Sequence, residues 1–440
     1  MMIENPYIPK DWQWRKLIET SKIILGQSPS SDTYNTDNEG LPFYQGKAEF
    51  GALYPTPVKW CSAPKKIAQS GDILISVRAP VGPTNICQEK SCIGRGLAAI
   101  RTKEDVYNKY VFYYLRSIQD KWDKKSTGTT FKAITGAVLH NQEIPIPPFG
   151  EQREIVQKIE ELFSQLDAGV AGLKRAQVKL KRYRVSVLKA AFEGRLVPQD
   201  PNDEPILKSL YIESQQVLDK EKYKPIPEKW EWLRLVNCVD ILDRKRIPVN
   251  SKEREKRISG KDETELYPYY GATGHVGWID DYIFDEELIL LGEDGAPFID
   301  IDKEKAYIVK GKFWVNNHAH VIRAKDKLTT NRFILHYLNF FNYKDFVTGT
   351  TRLKLNQTKM KQIPVIIPPL NEQKRIVEEI DRRLSIVNEI EKSIDFGFMK
   401  SDHLRNAILK SAFEGQLINT DPSIFLSAKD TKKQGNLFND

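Results

Sequence analysis

Cysteine is scarce in this 440-residue chain and badly spaced for chemistry: Cys61, Cys87, Cys92 and Cys238 form no Cys-x-x-Cys pair and are split unevenly between the two halves. That argues against a zinc site and a disulfide framework, and for a reducing, cytoplasmic setting. Long apolar runs are missing too. Nowhere do about 18 apolar residues follow one another, as a membrane-spanning helix requires, and Met1-Met-Ile-Glu-Asn-Pro6 has no basic run followed by an apolar core. A soluble protein, neither secreted nor membrane-spanning, is expected. The common signatures of catalysis are absent as well. There is no Gly-x-x-x-x-Gly-Lys-(Ser/Thr) loop, no Gly-x-Gly-x-x-Gly after a strand, no His-Glu-x-x-His and no Gly-x-Ser-x-Gly, which excludes the usual phosphate, dinucleotide, zinc and serine-nucleophile sites.

What the chain does have, it has twice. Leu188-Lys-Ala-Ala-Phe-Glu-Gly-Arg-Leu196 returns as Leu409-Lys-Ser-Ala-Phe-Glu-Gly-Gln-Leu417, and Pro147-Pro-Phe-Gly-Glu-Gln152 returns as Pro368-Pro-Leu-Asn-Glu-Gln373. Thr127-Gly-Thr-Thr130 recurs in the same register as Thr348-Gly-Thr-Thr351, and Asp200-Pro201 as Asp421-Pro422. A period of 221 residues is far longer than a solenoid repeat, so the duplicated object is a whole domain with its helix. Each copy opens on a Pro-x-x-Trp segment, Ile8-Pro-Lys-Asp-Trp-Gln-Trp14 and Ile226-Pro-Glu-Lys-Trp-Glu-Trp232, which are 218 apart and predict one internal loop altered by about three residues. A formal net charge of +8 permits a nucleic-acid partner without requiring one.

Between these blocks the pattern predicts mixed α and β domains over 1–147 and 224–368. Asp72-Ile-Leu-Ile-Ser-Val77 and Glu287-Leu-Ile-Leu-Leu291 read as buried strands, and residues 107–118 and 332–341 as aromatic-rich amphipathic helices. Ile144-Pro-Ile-Pro-Pro148 and Ile363-Pro-Val-Ile-Ile-Pro-Pro369 must be extended, because each proline pushes its predecessor out of the helical region. Helical regions then follow at 148–196 and 369–418, with Gly150 and Asn371 as N-caps, Glu151 and Glu372 at the positive end of the dipole, and Gly194 and Gly415 as left-handed C-terminal caps. Residues 197–223 form a linker and 419–440 a tail. The apolar positions Ile155, Ile159, Leu162, Leu166, Gly169, Leu173, Ala176, Leu180, Tyr183, Val187 and Ala190 form a heptad seam. The second copy keeps Ile376, Ile380, Val387, Ile390, Ile394, Leu404 and Ile408 but places Arg383, Gly397 and Ser401 on the seam, which predicts a bend. A helix over 151–193 would be roughly 65 Å long and needs a partner. Its own copy, paired antiparallel, is the simplest one, and this would set two domains at the ends of a pseudo-two-fold rod. The competing arrangement folds each helix flat onto its own domain.

Candidate binding residues are more numerous than catalytic ones. Arg78-Ala-Pro-Val-Gly82, Gly94-Arg95-Gly96, Thr127-Gly-Thr-Thr-Phe-Lys132 and Thr348-Gly-Thr-Thr-Arg-Leu-Lys354 place cations and hydroxyls in glycine-containing loops. Arginine can read guanine edges and threonine can contact bases or phosphates. The set is Lys47, Arg78, Arg95, Thr129, Thr130 and Lys132 in the first copy, and Thr350, Thr351, Arg352 and Lys354 in the second. On the first long helix Lys174, Arg175, Lys179, Lys181, Arg182, Arg184 and Lys189 form an acid-free stripe suited to phosphate, and equally to a solvated face or to an acidic protein partner. His318 and His320 have the spacing of a strand face but no completing ligand, so a structural role at a turn-to-strand junction is expected rather than a metal. The (Asp/Asn)-Pro-Pro-(Tyr/Phe) signature of amino-methyltransferases is missing, since both Pro-Pro pairs follow isoleucine.

Pro-Pro-x-x-Glu-Gln opening a long helix, Ala-Phe-x-Gly-x-Leu closing it, Ile-Pro-x-x-Trp opening each copy and the Gly-Thr-Thr loop together resemble the specificity subunit of type I restriction-modification enzymes. The resemblance runs the length of the chain, twice. It implies an α+β fold with two mixed α/β target-recognition domains separated by two long antiparallel coiled-coil helices, and a chain with no catalytic site. It implies double-stranded DNA as ligand, each domain reading half of a bipartite asymmetric target. Two methyltransferase subunits would dock on the helices, and two restriction and translocation subunits can be added. S-adenosylmethionine would be held by the methyltransferases, with no cofactor or metal on this chain. The alternatives are the same recognition role in a modification-only or fused methyltransferase and nuclease system, and, more remotely, a coiled-coil scaffold presenting protein- or glycan-binding modules. A self-sufficient nuclease lacks any constellation of acids and lysine.

Overall fold

The computed structural model describes residues 8–126, 133–205, 218 and 223–418. These fall into two compact units, one built from the described residues up to Leu173 and those from Phe396 onward, the other from Lys174–Asp395. Each unit therefore takes the start of one long helix and the end of the other.

In the first unit an antiparallel sheet runs Ser21–Leu25, Leu97–Thr102, Ile73–Ser76, Thr84–Ile86. Every residue of Ile73–Ser76 is buried, which explains the aliphatic run Ile73-Leu-Ile75 within it. A second sheet runs Tyr34–Asn35, Lys59–Cys61, Leu41–Tyr44, Ser91–Ile93, Ile67–Ala68, with a parallel pair, Leu41–Tyr44 beside Ser91–Ile93, inside it. Asn108–Ser117 is the predicted aromatic helix; its Tyr110 and Phe112 are fully buried in the main core.

The second unit repeats this plan. Val239–Ile241, Ala319–Ala324, Leu288–Gly292 and Ala306–Val309 make the antiparallel sheet. Gly274–Ile279, Tyr267–Gly271, Lys312–Val315 and Phe284–Asp285 make the other, again with a parallel pair within it, Tyr267–Gly271 beside Lys312–Val315. The helix Asn331–Phe340 takes the place of Asn108–Ser117. In both units the proline-rich exit is a strand as expected, Glu143–Ile146 or Pro364–Ile367, and it pairs antiparallel with the strand that follows the Pro-x-x-Trp opening.

The repeated motifs recur because they meet. Trp12 Nε1 donates to Glu151 Oε1 at 3.1 Å, and Trp230 Nε1 to Glu372 Oε2 at 2.9 Å. Gln152 donates to the carbonyls of Asp105 and Pro147, and Gln373 to those of Leu328 and Pro368, stapling each helix start to its domain. The closing motif comes from the other helix. Phe413 packs edge-on against Tyr110 and Tyr114, while Phe192 packs against Phe333, Tyr337 and Phe340. Gly194 and Gly415 adopt φ of +71° and +72°, and Arg195 N and Gln416 N reach back to Ala190 O and Ser411 O, the hydrogen bonds of a left-handed helix cap. A Cβ on either glycine would lie 2.3 Å from Cγ of Pro227 or Pro9, so the cap also needs glycine for space.

Several expectations need correcting. The long helices are Phe149–Phe192 and Leu370–Phe413, so they begin one residue before Gly150 and Asn371. Pro148 and Pro369 take the cap position, where the N–H they lack is not needed and their carbonyls accept from Gln152 N and Gln373 N. The three-residue loop difference is a net value. Val77 N binds Gly96 O as Glu293 N binds His318 O, and Arg78 bridges Ala133 as Asp294 bridges Lys354. The spacing between equivalent residues thus changes more than once along the domain.

The heptad seam also divides its work. Ile155, Ile159 and Leu162, with Ile408 and Leu409, enter the core of the first unit, while Val187, Ile376 and Ile380 enter that of the second. Within each unit the helix segments run antiparallel. Arg405 pairs with Asp167 and covers the Phe163 ring while Gly397 faces Leu173, and Arg184 binds Asn388 and Glu391. Tyr183 and Ile390 leave the seam and are 43% and 42% exposed. A helix of 3.6 residues per turn drifts off a seven-residue pattern over this length. The second long helix continues unbroken through Gly397 and Ser401. There Gly397 makes room for Leu173, whose Cδ1 would lie 2.8 Å from an added Cβ.

Candidate nucleic-acid interface

In the first unit three of the anticipated cations gather at one cleft. Ser28, Gln45, Gly46, Lys47, Ser76, Arg78, Ala79, Arg95 and Gly96 line an open cavity of about 280 Å³. Backbone-to-backbone packing creates it. A Cβ on Gly96 would sit 2.1 Å from Gln45 O, and one on Gly26 2.1 Å from Gly94 O, so only glycine lets the Gly94-Arg95-Gly96 turn lie against these neighbours. Gly94 N then binds Tyr44 O and Arg95 N binds Ser28 Oγ, which brings Arg95 alongside Lys47. Arg78 arrives at the end of strand Ile73–Ser76, its carbonyl accepting from Ser76 Oγ at 2.9 Å. Lys47, Arg78 and Arg95 are all exposed, and none forms an ion pair among the described residues. Thr129, Thr130 and Lys132 lie outside the described residues.

The second unit builds the same place differently. Thr348 and Lys354 exchange backbone hydrogen bonds of 2.9 and 2.8 Å, closing a loop whose tip carries the exposed Thr350 and Thr351. Leu355 N to Glu293 O and Gly295 N to Leu353 O dock this loop on Glu293-Asp294-Gly295. Arg352 Nη2 meets Asp294 Oδ1 at 2.6 Å, and Lys354 Nζ meets Glu293 Oε1 at 3.3 Å. Burial works against ionisation of Asp294, yet hydrogen bonds from His318 and Arg352 outweigh it and hold the carboxyl below its ordinary range. Beneath lies a buried polar layer. His320 Nδ1 faces Asp243 Oδ2 at 2.6 Å and its Nε2 faces Leu355 O at 2.8 Å, while Gln357 donates to Asp243. Both histidines are thus engaged with carboxylates, His318 at the turn and His320 on the strand.

Strand registers show how far the two places diverge. Ser76 pairs with Leu97 as Gly292 pairs with Ala319, which makes Ala98 the counterpart of His320 and Arg78 that of Asp294. A buried alanine in one unit is a buried histidine in the other, and an arginine with no ion pair among the described residues is a paired aspartate. The sequence reading missed Asp294, Glu293, Asp243 and Gln357. The recurrence of Ala79-Pro80 as Ala296-Pro297 after equivalent strands was the available signal.

The helix stripe is partly engaged. Arg184 binds Asn388 Oδ1 at 2.7 Å and Glu391 Oε2 at 3.0 Å, and Lys181 lies 3.7 Å from Asp302. Lys174, Arg175, Lys179 and Arg182 are exposed, with no ion pair among the described residues.

Comparison with known proteins decides the family. A family model described as type I restriction modification DNA specificity domain matches residues 9–172 and again 227–395, which together are more than half the chain. The chain belongs to that specificity family. A Methanocaldococcus jannaschii chain assigned as the MjaX specificity subunit of a type I restriction enzyme is 51% identical over 155 residues, 34% of this chain and 36% of that relative. The chain thus spans little more than a third of that relative. The Escherichia coli EcoDI specificity subunit is 22% identical over 93% of this chain and 89% of its own length. The crystal structure of the HsdS subunit from Thermoanaerobacter tengcongensis shares the fold, with a TM-score of 0.56 at 20% identity over 94% of this chain and 100% of that one.

Proposed function

We propose that this family member is the DNA sequence-recognition subunit of a type I restriction-modification complex. Domain 1–147 reads one half of a bipartite, asymmetric duplex target and domain 224–368 the other. The long helices dock two methyltransferase subunits, to which two restriction and translocation subunits can be added. The chain performs no chemistry itself, and S-adenosylmethionine belongs to the methyltransferases. The observation that carries this reading is the pair of like-built units whose equivalent loops carry different chemistry, Arg78 in one and Asp294 in the other. Equal scaffolds with unequal loops suit two different half-sites. Lys47, Arg78 and Arg95 are the base-reading candidates of the first unit, Thr350, Thr351, Arg352 and Lys354 those of the second. The exposed Lys174, Arg175, Lys179 and Arg182 are phosphate or partner contacts.

The test is selection. The chain, co-purified with its methyltransferase, is bound to random duplex DNA and the retained molecules are sequenced. A bipartite, non-palindromic motif is expected, and exchanging residues 224–368 for those of a relative is expected to change one half alone. A contiguous or palindromic motif would overturn the reading.

A further inference from the structure

We propose that Asp294 and His318 position Arg352 as the residue that reads a guanine in the half-site of the second unit. This inference rests on the DNA-recognition reading above and deepens it.

Arg352 is the most solvent-facing member of its cluster, its side chain 64% exposed, yet it is held in place. One hydrogen of Nη2 is committed to Asp294 Oδ1 at 2.6 Å. The guanidinium lies across Gly295, which has φ +72° and whose Cβ, if present, would stand 3.3 Å from Arg352 Nε. Glycine gives that flat approach both its backbone conformation and its space. Asp294 is itself fixed from behind by His318, whose Nδ1 lies 3.1 Å from Oδ2 and 2.9 Å from Oδ1. The His318 backbone is tied at both ends, its N–H to Asn316 Oδ1 and its carbonyl to Glu293 N. The neighbouring acid does not compete, because Glu293 is taken by Arg246 at 2.9 Å and Lys354 at 3.3 Å.

An arginine held this way keeps Nη1 and the second hydrogen of Nη2 for an outside acceptor pair, and a free surface arginine would lose more side-chain entropy on binding. Guanine O6 and N7 offer that acceptor pair on the major-groove edge. A phosphate would have to settle beside the Asp294 carboxylate and be repelled by it, whereas a base edge carries no net charge. At the equivalent described positions of the first unit Arg78 stands where Asp294 does, and Gly96 where His318 does. The two units therefore approach their bases with different hardware.

The test uses the assembled complex with its methyltransferase and a duplex pool randomised through both half-sites. Arg352→Ala is expected to lose about tenfold or more in discrimination at one guanine position of one half-site, leaving the other half unchanged. Asp294→Asn is expected to weaken preference at that same position, and to add nothing further in the Arg352→Ala background. Arg352→Lys, which keeps the charge but not the fork, is expected not to restore it. Three outcomes overturn the proposal: an unchanged preference at every position in Arg352→Ala, a uniform loss across all sequences, which marks a phosphate contact, or an Asp294→Asn effect spread evenly over the half-site, which marks a scaffold role. If the wild type selects no bipartite site at all, the recognition reading itself fails.

Discussion

Single residues explain why certain letters are repeated in a chain whose domains have otherwise diverged. Trp12 and Trp230 each donate an indole N–H to the glutamate of a Pro-Pro-x-x-Glu-Gln motif, but the two settings differ. Trp230 and Glu372 are 0% and 1% exposed, whereas Glu151 is only partly buried. Burial pushes the Glu372 carboxyl above its ordinary range, against the lowering effect of the Trp230 and Gln199 hydrogen bonds. Trp230→Phe is therefore expected to cost roughly 2 to 3 kcal/mol, because a buried acceptor loses its donor, while Trp12→Phe costs about 1 kcal/mol, since water can replace the lost donor at Glu151. Urea unfolding of the two variants against the parent measures the ordering, and equal losses would refute it. At this scale the sequence was legible wherever both copies kept a residue. It was illegible at Asp243, and at Asp294 only the Ala-Pro pair that follows it marked the place.

At the scale of elements, the two long helices are shared parts. Each begins on the domain it follows and ends in the core of the other unit, so the seam is mostly domain core at its ends. Its central part in the first unit is loosely filled. Leu162, Leu166, Leu173, Gly397, Ser401 and Ile408 border an apolar cavity of about 340 Å³, and the Ser401 hydroxyl, buried there, has no hydrogen-bond partner among the described residues. Ser401→Ala is expected to stabilise the protein by about 1 kcal/mol, by removing an unsatisfied polar group and raising helix propensity. Thermal unfolding reads this as a higher midpoint, and a fall would mean that the hydroxyl has a role in the folded state. Extended proline segments and C-terminal glycine caps were readable from local rules, because backbone sterics decide them. The helix starts were misplaced, because Pro148 and Pro369 take the cap position expected of Gly150 and Asn371. The partition of the apolar stripe between domain and helix was not readable, because heptad spacing serves both.

For the molecule as a whole, both long helices pass from one unit into the other, at residues 173–174 and 395–396. If they set the separation of the half-sites, four residues added to both, after Leu173 and after Ile394, keep the helical phase nearly unchanged and add about 6 Å of helix. With a rise of ~3.4 Å per base pair, the preferred spacer is expected to grow by roughly two base pairs while the bases selected in each half stay the same. Extending only one helix is expected to reduce stability instead, since the packing register is lost beyond the insertion. Binding to a series of sites differing only in spacer length checks this. An unchanged optimum would mean the helices do not act as the ruler.

The sequence by itself determined the duplication, the mixed α and β character of each copy, the place and C-terminal glycine caps of the long helices and, through its repeated motifs, the family. These are properties of spacing and of local backbone chemistry, and they are written in consecutive residues. Tertiary structure alone decided which distant segments share a unit. It also showed that Phe413 closes the core begun by Tyr110, and that Arg78 and Asp294 occupy the same position in two sheets. Such equivalences depend on strand register and on loops whose lengths differ between the copies, so no fixed offset along the chain could reveal them.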